Sequence, residues 1–170
     1  MNDFIKTLMS RRSVRSFENR EIDKETLETI VKAGMAAPTA VNSQPWRVVV
    51  TTDKDLQKRL AEGLQYAKMA EEAGAVLTVL GEISNGITKN YWVQDCCVMT
   101  ENMLLAIHCL GLGAVWTGVY PDEEKEETVR KILEIPSEIR VLAVIPLGVP
   151  RDKGKVKNKW DAKKVHWQRW

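Results

Sequence analysis

The spacing of hydrophobic positions changes repeatedly along the 170-residue chain, and each change marks a predicted element. Apolar residues three or four apart predict amphipathic helices, whereas short β-branched runs predict strands. Asp23 and Asp53 stand where a helix N-cap is expected, and Pro38 ends the helix that Asp23 begins. The predicted helices cover residues 4–11, 23–37, 53–60, 92–110 and 121–133, the predicted strands cover 46–52, 75–80, 114–119 and 139–147, and residues 84–90 are predicted to form a loop.

Composition favours one globular unit. The chain is 44% hydrophobic, contains no internal repeat and has no linker rich in Gly, Ser or Pro. The longest apolar run, 96–110, is interrupted by polar residues, and the first ten residues lack the layout of a secretory signal. We therefore expect a single α+β domain over residues 1–170, with no membrane segment.

The three cysteines, Cys96, Cys97 and Cys109, show no C-x-x-C spacing and are odd in number. This pattern argues against a disulfide framework or a zinc site and favours a reducing, cytoplasmic compartment. All three lie in an apolar helical stretch, where thiols are expected to be inert packing groups. The two histidines, His108 and His166, form no metal-ligand pattern, and His108 is expected to be a hydrogen-bonded helix residue.

The long helix predicted at 92–110 bears on assembly, because it is apolar on more than one face. A chain of this size has few elements with which to cover every side of such a helix. Packing against a second copy across a two-fold axis is the economical solution. A helix buried on all sides within a monomer is the alternative.

Two short motifs carry the candidate chemistry. Residues 11–15 read R-R-S-V-R, and residues 38–46 read P-T-A-V-N-S-Q-P-W. Arginine forks bind phosphate well, and a proline-bounded turn with Asn, Ser and Gln offers fixed neutral hydrogen-bonding groups. Together they favour a ligand that is flat and polar-edged at one end and phosphorylated at the other, as flavin mononucleotide (FMN) is. A solvated arginine patch beside a stiff surface turn remains the alternative for either motif alone.

Four ordered motifs together resemble the nitroreductase-like family of FMN-dependent oxidoreductases. Besides R-R-S-x-R, the chain has A-P-T-A-x-N-x-Q-P-W at 37–46, G-L-G-x-x-W-x-G at 111–118 and L-G-x-P at 147–150. The resemblance runs from about residue 4 to the C-terminus. It implies a central, largely antiparallel sheet of four to five strands flanked by helices, in an interlocked homodimer with FMN at the interface.

The resemblance also implies a set of cofactor-binding residues: Arg11, Arg12, Ser13, Arg15, Pro38, Thr39, Ala40, Asn42, Gln44, Trp116, Thr117, Gly118, Lys157 and Lys159. Residues 11–13 match the phosphate and ribityl contacts, and Arg15 matches the position beside the N1–C2=O edge of the ring. Residues 38–44 match the turn that packs on the ring, partly from the other subunit. Residues 116–118 match the segment near N5, where Gly118 permits close approach. No side chain is assigned as a catalytic acid or base, and no metal is implied.

The C-terminal residues 151–170 are strongly basic and contain three tryptophans. Alternating lysines at 153, 155, 157 and 159 would share one side of an extended chain. A nucleic-acid-binding tail or a solvated arm would account for the charge, but three indoles favour an arm docked on protein. The family's own C-terminal pattern, which embraces the partner subunit, is matched at Lys157, Lys159, Trp160, Asp161, Lys164, Val165 and His166, and Lys159 is our expected phosphate contact.

The activity implied is hydride transfer from NADH or NADPH through flavin N5 to a nitroaromatic, a quinone or a related small-molecule acceptor, by a ping-pong mechanism. Other flavin chemistry on the same fold, a flavin-storage role and nucleic-acid binding by the tail are the alternatives. The Gly111–Gly113 pair does not open a Rossmann loop, because a predicted helix precedes it and a strand follows. The chain has no room for extra helices over the site, so we expect an open site with residues 84–90 and Trp92 near its mouth. The physiological acceptor is not predicted.

Overall fold

A computed structural model of the chain describes residues 2–84, 86–152 and 154–170. The helices are α1 (Asp3–Ser10), α2 (Lys24–Met35), α3 (Lys54–Gly63), α4 (Gly86–Cys109) and α5 (Glu123–Leu133). The strands are β1 (Trp46–Thr51), β2 (Ala75–Glu82), β3 (Gly113–Ala114), β4 (Thr117–Gly118) and β5 (Ile139–Gly148). None of the described helices is long and apolar enough to cross a membrane.

The strands form one antiparallel sheet. β1 pairs with β2 and β2 with β5, while β3 and β4 both pair with β5. This arrangement confirms the predicted α+β class and the largely antiparallel sheet. The register shifts between Val79 and Leu80, whose partners on β5 are Ala143 and Val141, so the two central strands carry a bulge at this point.

The strand predicted at 114–119 is divided into β3 and β4. Val115 donates its N–H to the Pro146 carbonyl at 3.2 Å. Pro146 has no N–H to return, because proline lacks the amide proton that an antiparallel ladder requires at that position. A proline in the partner strand therefore interrupts a run that its own β-branched sequence favoured.

The sheet separates two hydrophobic layers. Alternate β2 residues contribute to each, since Leu77 and Val79 pack with α2 and α4, while Val76 and Leu80 pack with α3 and α5. Both faces of the central strands are thus covered. This double burial explains why β2 and β5 are nearly continuous apolar runs in the sequence.

The loop predicted at 84–90 is wrong, because α4 begins at Gly86 and runs for 24 residues. Within that segment Asn85 lies outside the described residues. The buried Thr88 hydroxyl accepts the Ser84 N–H at 3.0 Å, which satisfies a backbone donor near the helix start. Gly86 has low helix propensity and polar residues follow it, so the sequence favoured a loop here. Tertiary packing, as at the buried Thr88, supports the helix instead.

Two side chains on α4 also differ from expectation. Trp92 is 3% exposed and packs edge-on against Tyr120, with ring centroids 4.9 Å apart, so it does not stand at an open mouth. Cys109, expected to be packed, is exposed where α4 ends. Cys96 does behave as an inert core thiol, since burial, with added repulsion from Asp95 and Cys97, raises its pKa to about 12.

A partly buried ion pair links α5 to β5. Glu126, 2% exposed, accepts from Arg140 Nε at 2.9 Å and Nη2 at 2.6 Å, and also from the Val141 N–H at 3.1 Å. The same guanidinium lies over the Trp92 and Tyr120 rings. Burial alone would raise the pKa of Glu126, but hydrogen bonds from Arg140 and Val141 and the charges of Arg140 and Arg130 outweigh it and lower the pKa.

We expect Glu126→Gln to reduce the free energy of unfolding by about 2–3 kcal/mol at pH 7, because Arg140 loses its counter-charge. A carboxyl whose folded pKa is lowered stabilises the fold fully above its unfolded pKa, about 4.3, and less as pH falls through the folded pKa. The difference between wild type and variant should therefore shrink below about pH 4. Urea unfolding across pH measures this.

The neighbouring Glu127 provides the matched control, since its carboxylate is about half exposed and pairs with Arg130 and Lys131 on the same helix. Glu127→Gln should change stability far less. Equal losses in the two variants would show that the Glu126–Arg140 pair is not a structural link.

Candidate functional site

A cavity of about 1280 Å³ lies between the R-R-S-x-R segment and the C-terminal arm. It collects six of the predicted residues, namely Arg11, Arg12, Ser13, Arg15, Lys157 and Lys159. Lys6 and Lys155 add two further cations that the sequence argument had not assigned to a site, whereas Glu101 and Asp152 are its acidic members among the described lining residues. The cavity is therefore strongly cationic, as an anion-binding site must be.

The three arginines have different surroundings. Arg11 Nε lies 3.5 Å from Glu101 on α4, and Arg12 donates to the Asp152 carbonyl at 2.6 Å. Arg15 is exposed, and its side chain has no hydrogen bond or ion pair with residues 2–84, 86–152 or 154–170. Arg12 thus holds the start of the arm, while Arg15 is available to a ligand.

Gly154 lets the arm pass close to Arg12. Its φ is +49°, a left-handed conformation that a side chain disfavours, and a Cβ here would lie 2.7 Å from Arg12 Cζ. The glycine therefore sets how near the arm's lysines come to the arginine segment.

His108 lies beneath the same arginines. Its Nε2 is 2.8 Å from Ser10 Oγ, which confirms the expected hydrogen-bonded helix residue. Burial, and then the positive charges of Arg11 and Arg12, lower the pKa of His108. The described residues contain no group of three or more His, Cys, Asp or Glu that could hold a metal.

Three of the four sequence motifs meet along one stretch of chain. The Val14 N–H donates to the Ala114 carbonyl at 2.9 Å, within the G-L-G-x-x-W-x-G segment. The Glu18 N–H donates to Val149 at 2.8 Å, within L-G-x-P. Residues 13–18 therefore run between two segments that lie about a hundred or more residues away in sequence, and those contacts orient the arginines.

The P-T-A-V-N-S-Q-P-W motif forms a tight turn around a 3₁₀ segment, Ala40–Asn42. Val41, Asn42 and Gln44 have φ of +47°, +56° and +47°. The Thr39 hydroxyl accepts the Gln44 N–H at 3.2 Å, and the Gln44 amide donates to Asn42 Oδ1 at 2.8 Å. A left-handed valine is strained, and such strain persists only where neighbouring contacts hold it.

Asp95 on α4 supplies contacts of this kind, and sequence reasoning missed it. The carboxylate is 5% exposed, accepts the Ala40 N–H at 3.0 Å through Oδ1 and the Ser43 hydroxyl at 3.3 Å through Oδ2. The available signal was a single acidic residue just ahead of the apolar run at 96–110.

The third predicted group, residues 116–118, lies along the edge of β5. Trp116 packs against the α2 and α4 layer, and Thr117 is buried with its hydroxyl 3.4 Å from the Tyr66 carbonyl. Gly118 is exposed, and a Cβ there would meet nothing within 4 Å in this chain. Neither this group nor the 38–44 turn is among the described residues that line the arginine cavity, so the predicted site residues form three clusters in one subunit.

Comparison with known proteins places these features in a family. The model of the nitroreductase family matches residues 8–92 and 62–149. A relative from Archaeoglobus fulgidus, provisionally named NADH dehydrogenase/NAD(P)H nitroreductase, is 37% identical over 174 residues and matches the full length of both chains.

Solved structures agree. One from Parabacteroides distasonis, with the same provisional name, superposes with a TM-score of 0.94 at 38% identity and covers all of both chains. Another, a provisionally named nitroreductase from Desulfovibrio desulfuricans solved with FMN, superposes with a TM-score of 0.82 at 26% identity, covering 100% of this chain and 99% of the other.

Proposed function

The chain belongs to the nitroreductase family, and we propose that it is an FMN-dependent oxidoreductase that takes hydride from NADH or NADPH and passes it to a nitroaromatic, a quinone or a related acceptor by a ping-pong mechanism. The observation that carries this proposal is the cationic cavity joining the R-R-S-x-R segment to the lysines of the arm. The FMN-bound relative supports the choice of cofactor.

The chemistry of the donor set fits FMN. The cavity brings guanidinium, ammonium and hydroxyl donors together, which suits a phosphate. The turn exposes the linked amides of Asn42 and Gln44, which suit a polar ring edge. The exposed, side-chain-free surface of Gly118 suits close approach by a planar ring.

We assign the phosphate to Arg11, Ser13 and the arm lysines Lys157 and Lys159, of which Lys159 is our first choice. Arg12 would contribute to phosphate binding indirectly, by holding the start of the arm, because its guanidinium already donates to the Asp152 carbonyl. When bound, FMN supplies a two-electron hydride carrier. Arg15 would set a fixed positive charge beside the ring edge that gains negative charge on reduction, which favours the reduced form.

Residues 38–44 and 116–118 complete the proposed site, with Pro38, Thr39 and Ala40 forming the first part of the turn. Because these two groups lie outside the arginine cavity in one subunit, we propose that part of each site comes from a second copy of the chain. Residues 1–170 would then act as one FMN-binding domain, and residues 151–170 as the arm that embraces the partner.

Exposed apolar side chains support a homodimer. Phe4 and Met9 on α1 and Tyr91 on α4 are open to solvent in the isolated subunit, and on the arm Trp167 is 79% and Trp170 100% exposed. Exposed apolar groups that cluster on one short helix and on one arm favour an interface. The cytoplasmic location that the cysteines favour stays a prediction, with all three thiols free.

The activity is tested by anaerobic bleaching. The purified protein should be yellow, should lose its visible absorbance when NADH or NADPH is added, and should regain it with a nitroaromatic or quinone. Mass spectrometry of the released chromophore should find FMN rather than FAD, because the described lining residues Arg11, Ser13 and Lys159 form a single phosphate site and no adenine-binding motif accompanies them in the sequence. A colourless protein that takes up no flavin on reconstitution would contradict the proposal.

Substitutions of Arg15 and of Arg11 should have different effects, the first on the redox potential of bound FMN and the second on FMN affinity. Arg15→Ala removes a fixed charge from the ring edge, so we expect the midpoint potential of bound FMN to fall by roughly 20–65 mV, equivalent to about 1–3 kcal/mol. Arg11→Ala should instead weaken FMN retention with little change in potential. Redox titration at saturating FMN measures both, and an unchanged midpoint in Arg15→Ala would mean that this arginine does not face the ring.

Removal of the arm tests assembly. Truncation after Pro150 deletes the exposed indoles together with Lys157 and Lys159, so both the dimer and FMN retention should be lost. Light scattering and flavin absorbance provide the two measurements, and circular dichroism checks folding. A folded truncate that stays dimeric and yellow would show that the arm is only a solvated extension.

A further inference from the structure

The buried carboxylate of Asp95 is unusual for its lack of a cation. It is 5% exposed within an apolar helix, and no Lys, Arg or His of the part of the chain described here pairs with it. Removing a carboxylate from water is costly unless other groups compensate. Both of its oxygens accept hydrogen bonds from a single feature, the turn at residues 38–44.

Its two hydrogen bonds bracket the most strained part of that turn. Oδ1 accepts from the Ala40 N–H and Oδ2 from the Ser43 hydroxyl, so Val41 and Asn42 lie between the two anchor points. Val41, with φ +47° and ψ +30°, adopts a conformation that a β-branched residue rarely takes. A helix side chain that grips both ends of the segment holds this conformation in place.

We propose that Asp95 is a positioning residue for the flavin-facing turn: through Ala40 and Ser43 it sets the conformation in which Thr39, Asn42 and Gln44 are presented to the cofactor. This inference rests on the proposed function, since that function assigns those three side chains to FMN. α4 is suited to this positioning role because a long helix provides a rigid base for a short, strained loop.

The variants distinguish hydrogen bonding from bulk packing. Asp95→Ala removes both acceptors. Asp95→Asn keeps an acceptor for the Ala40 N–H and offers an N–H to the Ser43 oxygen, so it should restore the turn. Ser43→Ala removes one bond from a partly exposed position and leaves the helix unchanged. Thr100→Ala is the matched control, since Thr100 is a buried polar residue of α4 whose hydroxyl bonds to the Cys96 carbonyl and not to the turn.

The first measurement needs no flavin. Amide hydrogen exchange at Ala40 should be protected in wild type, Asp95→Asn and Thr100→Ala, and should be fast in Asp95→Ala. Equal protection in wild type and a folded Asp95→Ala would overturn the inference whatever the protein binds.

The second measurement is FMN affinity by fluorescence titration, with urea unfolding as the check on folding. Asp95→Ala should weaken FMN binding roughly tenfold to a hundredfold and Ser43→Ala by about threefold, whereas Asp95→Asn should stay close to wild type. The visible circular dichroism of bound FMN should change in Asp95→Ala and not in Thr100→Ala.

The outcomes separate the two proposals. A wild-type protein that binds no FMN contradicts the proposed function, while the exchange data still decide the role of Asp95 in the turn. Normal FMN binding in wild type with unchanged affinity in Asp95→Ala and Ser43→Ala overturns the positioning role alone. Asp95→Asn as weak as Asp95→Ala would also overturn it, because hydrogen bonding would not then be what the turn requires. If Asp95→Ala does not fold, Ser43→Ala and Asp95→Asn carry the test.

Discussion

β5 is hydrogen-bonded along both of its edges, to β2 on one side and to β3 and β4 on the other. The chain that follows it continues this pairing, since Val149 and Arg151 bond with residues 16–18. Residues 16–18 are therefore held by the chain that extends β5, and Val14 bonds to Ala114 in β3, which itself pairs with β5. Backbone pairing on both sides makes β5 hard to displace, and its burial within two apolar layers adds to that rigidity.

Residues 11–15 lie beside a cavity in which positive charges outnumber negative charges. The cavity beside residues 11–15 gathers many cations and few carboxylates, and the nearby His108 already loses basicity through burial and through Arg11 and Arg12. Such a concentration of positive charge is unfavourable without an anion. In the proposed function the FMN phosphate supplies that anion, so cofactor binding and stability of the arm region are coupled through the same groups.

The turn at 38–44 is held in its conformation by a different set of contacts. Three left-handed residues hold its polar side chains outward, while Pro45 and Trp46 are buried at the start of β1. Burial of Pro45 and Trp46 fixes where the turn joins β1. The hydrogen bonds that Asp95 accepts from Ala40 and Ser43 fix the shape of the turn before that point. A rigid loop on a rigid helix limits the ordering cost that a ligand must meet when it binds.

Local patterns in the sequence predicted most of the helices and strands in their order along the chain, because an Asp at a helix start and a β-branched run act within a few residues. The antiparallel sheet, and the association of residues 11–15 with lysines of the arm, were expected from the family resemblance of the motifs, because local patterns do not report on pairing between remote segments. The sequence could not determine that α4 begins at Gly86, since the support comes from burial and not from propensity. The division of the run at 114–119 could not be predicted from that run, because the cause is the missing N–H of Pro146 in the partner strand.

The contact of Asp95 with a turn more than fifty residues earlier, and the meeting of three motifs beside β3 and the end of β5, are visible in the three-dimensional structure alone. A hydrogen bond between remote segments leaves no periodic trace in either segment. The same holds for Trp92 and Cys109, whose opposite exposures depend on what packs against each end of α4. Sequence patterns specify which face of an element is apolar, and the packing of other elements decides which of its polar groups become buried and joined.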